Sequence, residues 1–562
     1  MRTNARRTIL RGCVAATLFG TGCADEPERN PFMGPGLGTM STSAGANSET
    51  GTADSDDGDD DDGPGGDTDD DTAGETEGGS DGEGFEAVAQ GIEISDVEAN
   101  QGVSVLIASG GQPVPLAEQA SPLLFGRTTL IRATWQLASG SPERIVEGRL
   151  TITSRDGESE TFIDEQMVGP ESSLNAETTS FRWDISPELF GSGASYEIQL
   201  FEAASGTPGL TPSSPFPPEG TAPLGVEDSP MRMKIVFVPV VTPEGGVVAT
   251  PELRSRLEEE LAAAYPLQGI DAVWRAPWTS PARLTEEQAA WDYLLAARAE
   301  DNPATTNVYY HMLLDPETCC DSSQGQFQWG GLGDLIGDDL VEFGTYGDAL
   351  SMFDPEYWDE SMGVVIHELG HNHGRDHAPC GGPDGTDPAF PYPGATLGVH
   401  GYDIAKDTLI FPDVVDGATG EQPTDFMGYC FNQWWSDYSW RALFARTKLS
   451  SMQQAQAPVL DGLALRGYLR PGRPTAWRVV PAPAHATPTS DTATNAIRLL
   501  DTAGENVAEL PVWVRKLPDN DTVIVQANIS SAPSFERLEL KLGEQRMVGQ
   551  RSDVTEFRLT AR

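Results

Sequence analysis

The 562-residue chain is poor in positive charge, in cysteine and in histidine, and each shortage narrows what it can be. Lys and Arg number 36 against 86 Asp and Glu, for a formal net charge of −50. A chain this acidic is repelled by phosphate backbones and by anionic membrane surfaces, which excludes nucleic acid as a partner. Hydrophobic residues are 38%, a little low, but the shortfall is local and leaves enough for sizeable cores. Cysteine occurs six times and never between residues 24 and 318, so that stretch carries no disulfide and no thiolate ligand. Histidine occurs seven times, and four of the seven fall within residues 367–377, HELGHNHGRDH. No internal repeat with a clear fixed period is present.

Length alone implies about three or four domains. Residues 1–23 read as an export signal. Arg2, Arg6, Arg7 and Arg11 precede a short apolar stretch, CVAATLFGTG, which is too short to span a bilayer. GTGC at 20–23 resembles a bacterial lipobox, which makes Cys23 a lipidation candidate. Gly20 stands where a larger aliphatic residue is usual, and ordinary signal cleavage with free secretion is the alternative. The chain is thus expected to be exported, either as an outer-membrane or cell-surface lipoprotein or as a secreted protein. Residues 24–85 read as a disordered acidic linker: positions 51–90 hold 16 Asp and Glu and no Lys or Arg, so little can be buried to offset ordering.

Over 86–205 the hydrophobic period becomes two. TTLIRATWQL (128–137), RIVEGRLTITS (144–154), SFRWDIS (180–186) and SYEIQLFEA (195–203) predict a β-sandwich domain. A Pro-rich linker follows at 206–229. From 230 the pattern changes again. MKIVFVPVV (233–241) is the continuous apolar run of a strand covered on both faces. Residues 251–265 read as a helix, with Thr250 as N-cap and Pro251 at its first position. Strand, helix and strand signals alternate to about residue 315, predicting an α/β (α+β) domain over 230–460. A helix at about 357–373 carries the histidine cluster. Beyond 460, short strands predict a C-terminal β-sandwich domain, 461–562.

On a helix, positions i and i+4 share a face, so His367 and His371 can point at one spot. Two neutral imidazoles so placed can hold zinc, and Glu368 is angled toward a metal-coordinated water. A straight helix cannot supply a third ligand at a suitable angle. Gly374 tolerates the left-handed conformation that ends a helix, so the chain can turn back and bring His377 to the metal from another side. Three histidines leave one tetrahedral position open, as a catalytic site requires. His373 sits off that face and reads as structural or exposed.

This spacing, HExxHxxGxxH, resembles the signature of the metzincins, a clan of zinc endopeptidases. TDFMGYC (424–430) is similar to the methionine-containing turn of that clan, with Met427 in the key place. Tyr429, two residues on, resembles the tyrosine of astacins and serralysins. The resemblance covers about 230–460 and is specific only at these two motifs. Ala378, directly after the third histidine, departs from the residues that mark the familiar families, so only the clan is assigned. The resemblance implies peptide-bond hydrolysis, with Zn2+ activating water, Glu368 as general base and Tyr429 supporting the oxyanion. The expected partner is a protein or glycoprotein substrate, with membrane contact only through an N-terminal lipid anchor.

Cys319, Cys320, Cys380 and Cys430 all fall in this region, and an even count in an exported chain reads as two disulfides. A 319–320 bridge would force a strained ring, so bridges from that pair to Cys380 and Cys430 are expected. With no cysteine between residues 24 and 318, latency through an upstream thiolate as fourth zinc ligand is excluded. PDGTD (383–387) and GDLIGDD (333–339) are weak Ca2+ candidates, since Asp/Gly loops are more often plain turns. WWSDYSW (434–440) fits a helix packing its rings into the core. Two function classes follow: a surface-anchored zinc endopeptidase, or a surface binding or adhesion protein with an inactive metal domain. Glu368 favours the first, because an inactive remnant has no need of a base.

Overall fold

A computed structural model of the chain describes residues Ala87–Glu556, except 203–208, 285–286, 302–307, 316–317, 319–330, 334–343, 349–357, 416–419, 421, 431, 453–461, 470–474, 483–494, 517–522 and 530–533. The signal region with Cys23, the acidic linker, Cys319 and Cys320 lie outside the described residues, as does nearly all of GDLIGDD.

Two five-stranded antiparallel sheets come first. One holds Ala87–Val88, Arg144–Thr153, Ser159–Val168, Ser195–Glu202 and Ala222–Pro223. The other holds Ile92–Asn100, Ser104–Ser109, Gln112–Pro113, Thr129–Leu137 and Phe181–Ile185. Alternate residues of each face inward. Val146, Leu150, Ile152, Tyr196 and Ile198 of the first sheet share a core with Ile94, Ile131, Trp135, Phe181 and Trp183 of the second. The segment expected as a Pro-rich linker is instead built onto this unit. Phe216 exchanges two backbone hydrogen bonds with Ile198 (2.7 and 2.8 Å), and Phe216, Ala222 and Leu224 enter the core. Its prolines disguise that role, since they break up the period-two pattern that marks a strand.

The middle of the chain forms a mixed sheet. Arg232–Thr242 lies between Gly269–Trp274 and Val308–Leu314, parallel to both. Gly344–Asp348 continues the sheet in parallel, and Gly331–Gly333 closes it antiparallel. Helices Pro251–Ala264, Glu287–Asp301, Trp358–Asn372 and Asp437–Met452 accompany it. The first begins as Thr250 and Pro251 predict, with Thr250 Oγ1 accepting the Leu253 N–H at 3.2 Å.

The expected fold class, an α/β (α+β) metzincin-like catalytic domain between β-sandwiches, is corrected. The chain is a β-rich multidomain protein whose sheets are mostly small and antiparallel. The β/α alternation read from 230 to 315 does not continue. Between the helix ending at Asn372 and the one starting at Asp437 the described chain makes loops and two-stranded ribbons, Gly401–Asp403 with Thr408–Ile410 and Thr424–Asp425 with Gln433–Trp434. Glycines 374, 381, 382, 385, 394 and 398 all take positive φ there, which neither a helix nor a strand accommodates.

The N-terminal sheets and the middle unit share a core. Val103 packs in one cluster with Leu369, Met427, Trp434, Trp435 and Trp440. The Gly102 carbonyl accepts the Trp434 indole N–H at 2.6 Å. At the other end, two further sheets enclose Leu465, Trp477, Ile497, Val525, Leu538 and Leu540. Tyr468 and Ile524 from this last unit pack against Val236 and Tyr310 of the mixed sheet.

Candidate metal centre

Helix Trp358–Asn372 ends in a full Schellman motif. The Gly374 N–H bonds the His371 carbonyl (2.8 Å), the Arg375 N–H bonds the Gly370 carbonyl (3.0 Å), and Gly374 has φ +83°. The chain reverses at that glycine and carries His377 back over the helix. His367, His371 and His377 are all buried, and their ligand atoms lie within 4.8 Å of one another. Among the described residues this is the one His/Cys/Asp/Glu cluster able to hold a metal, and PDGTD forms none.

Each imidazole is oriented by a backbone carbonyl. His367 Nδ1 bonds Phe426 O (2.6 Å), His371 Nδ1 bonds Arg375 O (2.7 Å) and His377 Nδ1 bonds Asp384 O (2.5 Å). A carbonyl only accepts, so every Nδ1 carries a proton, and in the neutral ring the lone pair is then on Nε2. His367 Nε2 and His371 Nε2 then face each other at 3.1 Å. Two lone pairs so close repel unless a cation lies between them. Tetrahedral coordination at about 2.0–2.1 Å per bond puts neighbouring nitrogens roughly 3.3 Å apart, so the His367–His371 pair is spaced as two ligands of one divalent cation.

The floor of the site is the segment Asp425–Cys430. Met427 is fully buried and its sulfur lies under Gly370, where a Cβ would stand 2.5 Å from Sδ. The Met427 carbonyl accepts the Ala378 N–H at 2.8 Å, which ties the floor to the loop after His377. Tyr429 Oη lies 3.2 Å from His377 Nε2, inside the site. Asp425 escaped the sequence reading. Its carboxylate accepts the Met427 N–H (2.9 Å) and the Ser436 N–H (3.0 Å), as well as the Ser436 hydroxyl. Burial pushes its carboxyl above the usual range, and the hydrogen bonds pull the other way. An Asp two residues before the methionine was the available signal, since Asx turns bond the backbone two residues on.

Cys380 and Cys430 form a disulfide, with Cα atoms 5.6 Å apart. The expected bridges from 319 and 320 to these two cysteines are therefore corrected. Loop closure brings the residues after His377 against the residues after Met427, and Tyr429 N–H to Cys380 O (2.8 Å) fixes the same register.

Glu368 is buried at 3% exposure, next to the first ligand. Strand Gly331–Gly333 lies against it: a Cβ at Gly331 would stand 2.2 Å from Glu368 Oε1, and one at Gly333 2.9 Å from Oε2. Only glycine at both positions leaves space for the carboxylate, a requirement invisible in the string WGGLG. His373 faces away from the ligands, stacked on Tyr309 (centroids 4.8 Å, 15°) and beside Tyr265. Burial lowers its pKa to about 4. Of WWSDYSW, all three indoles are buried, but only Trp440 lies on a helix, which starts at Asp437.

No family model matches the sequence, and no curated protein matches it. Among solved structures, a cycloisomaltooligosaccharide glucanotransferase from Paenibacillus sp., complexed with cycloisomaltoheptaose, aligns over 81% of this chain and 71% of that one at 10% identity. Its TM-score is 0.13, too low to carry any argument about fold or activity.

Proposed function

We propose that the protein is an exported zinc-dependent endopeptidase. The observation that carries this reading is the convergence of three buried imidazoles, their ligand atoms within 4.8 Å of one another, beside a buried glutamate that is not one of the ligands. Zinc bound there would supply Lewis-acid chemistry, making water nucleophilic near neutral pH and polarising a substrate carbonyl. Glu368 takes the proton of the attacking water and passes it to the leaving amine. The Tyr429 hydroxyl donates to the oxyanion as the carbonyl carbon becomes tetrahedral. His367, His371 and His377 hold their places through Phe426, Arg375 and Asp384, so the donor set is organised before substrate arrives. The Cys380–Cys430 disulfide supports an oxidising compartment, consistent with export. The substrate is proposed to be a protein or glycoprotein outside the cell, with Cys23 as lipid anchor.

The test measures bound zinc and cleavage of a quenched peptide library on the purified full chain. Wild type is expected to hold one zinc and to cleave. Glu368→Gln is expected to keep the zinc and to lose about 10²–10⁴-fold in rate, and His371→Ala to lose both. A zinc-free wild type, or a Glu368→Gln protein as active as wild type, would refute the proposal.

A further inference from the structure

The third ligand sits on a loop rather than on the helix, so something must hold that loop at the right angle. The Asp384 carbonyl that orients His377 belongs to the turn Asp384–Asp387, in which Gly385 takes φ +70°. The far end of this turn returns to the ligand itself, where the Asp387 N–H bonds the His377 carbonyl at 2.8 Å. The Asp387 carboxylate is mostly buried and occupied on both oxygens. Oδ1 accepts the Ala389 N–H at 2.8 Å. Oδ2 accepts the Tyr438 hydroxyl at 2.8 Å and lies 3.5 Å from Arg375 Nη2. The Arg375 guanidinium also stands over the Tyr438 ring, 4.8 Å from its centroid. Arg375 is the residue whose carbonyl orients His371. The contacts therefore close a circuit: second ligand, Arg375, Asp387, third ligand. Tyr438 anchors it to helix Asp437–Met452.

We propose that Asp387, gripped by Tyr438 and Arg375, is a positioning residue that sets the angle of His377 and couples it to His371. This rests on the zinc-site reading above. Asp387 and Arg375 are shielded from solvent, at 13% and 11% side-chain exposure, so their attraction is screened little. Removing the carboxylate leaves the Tyr438 hydroxyl and the Arg375 cation without that acceptor and releases the turn that presents the Asp384 carbonyl. The ligands all remain, but the third is no longer held in place.

The experiment is a zinc affinity measurement by competition with a chelating fluorophore, on the full chain, for wild type, Asp387→Ala, Asp387→Asn and Tyr438→Phe. Partners that orient ligands typically affect metal affinity about 10–100-fold. Asp387→Ala is expected to weaken zinc by that factor while the metal-free protein keeps its unfolding midpoint. Asp387→Asn, which retains an acceptor, should recover part of the loss, and Tyr438→Phe should show a smaller loss. Zinc affinity of Asp387→Ala within about twofold of wild type would overturn the proposal. If that variant does not fold, Tyr438→Phe and Asp387→Asn both binding as tightly as wild type would overturn it equally. A wild-type chain that binds zinc but cleaves no peptide sinks the peptidase reading and leaves this proposal standing.

Discussion

Gly363 and Gly370 lie on the same helix, two turns apart, and the structure assigns opposite signs to the same substitution at each. At Gly370 an added Cβ would stand 2.5 Å from Met427 Sδ and 3.2 Å from the Trp435 ring. Ordinary carbon contacts need about 3.5–4.0 Å, so Met427 must shift by about an ångström. It has little room to do so, being fully buried against the fully buried Trp435. Overpacking of this kind costs about 1–3 kcal/mol. At Gly363 the nearest atom is Gln433 Oε1 at 3.1 Å, and this side chain, half-buried with its amide donating to Gly428 O at 2.8 Å, needs to give only a few tenths of an ångström. Both changes gain about 0.8–1.0 kcal/mol of helix propensity, and that gain cancels in the comparison. Gly363→Ala is therefore expected to stabilise the metal-free protein by up to about 1 kcal/mol, and Gly370→Ala to lie roughly 1–3 kcal/mol below it. A multidomain chain does not unfold in one step. The relevant transition in urea is identified as the one that moves up when zinc is added. Equal stability of the two variants in that transition would refute the packing of Met427 beneath the helix.

Two other perturbations test the frame around the site. His311, in strand Val308–Leu314, is wholly buried, and burial lowers its pKa from 6.5 to about 3. The unfolded chain then binds more protons between those values, so the stability from the neutral ring is complete above about pH 6.5 and is lost as pH falls toward 3. Between pH 7 and pH 5 the loss is about 2 kcal/mol. His311→Gln should remove that share of the acid sensitivity, measured as the difference in urea midpoint at the two pH values, and an unchanged difference would refute it. Arg127, in the loop before strand Thr129–Leu137, donates to Ala262 O (2.6 Å), Ala263 O (2.6 Å) and Leu267 O (2.7 Å) and so caps the end of helix Pro251–Ala264. Arg127→Met strands those buried acceptors and should destabilise the middle unit by about 2–5 kcal/mol, with a loss below about 0.5 kcal/mol in its urea transition counting against the capping role.

Spacing along one stretch of chain was sufficient to group His367 with His371, to end their helix at Gly374 and to begin another at Thr250, because those outcomes depend on residues a few positions apart. Composition and length likewise set the acidic character, the change of pattern near 230 and the run buried in strand Arg232–Thr242. What is distant in sequence required the folded chain. Carbonyls of Phe426 and Asp384 fix the imidazoles, and no side-chain letter marks a carbonyl. Gly331 and Gly333 yield space to Glu368, and Val103 completes a core built mostly from residues beyond 230. The pairing of Cys380 with Cys430 follows from two loops meeting, and a count of cysteines allows several pairings. Strand and helix signals are local, whereas the way strands assemble into sheets is decided by which apolar faces find one another. That is why the elements were readable and the α/β fold class inferred from them was not.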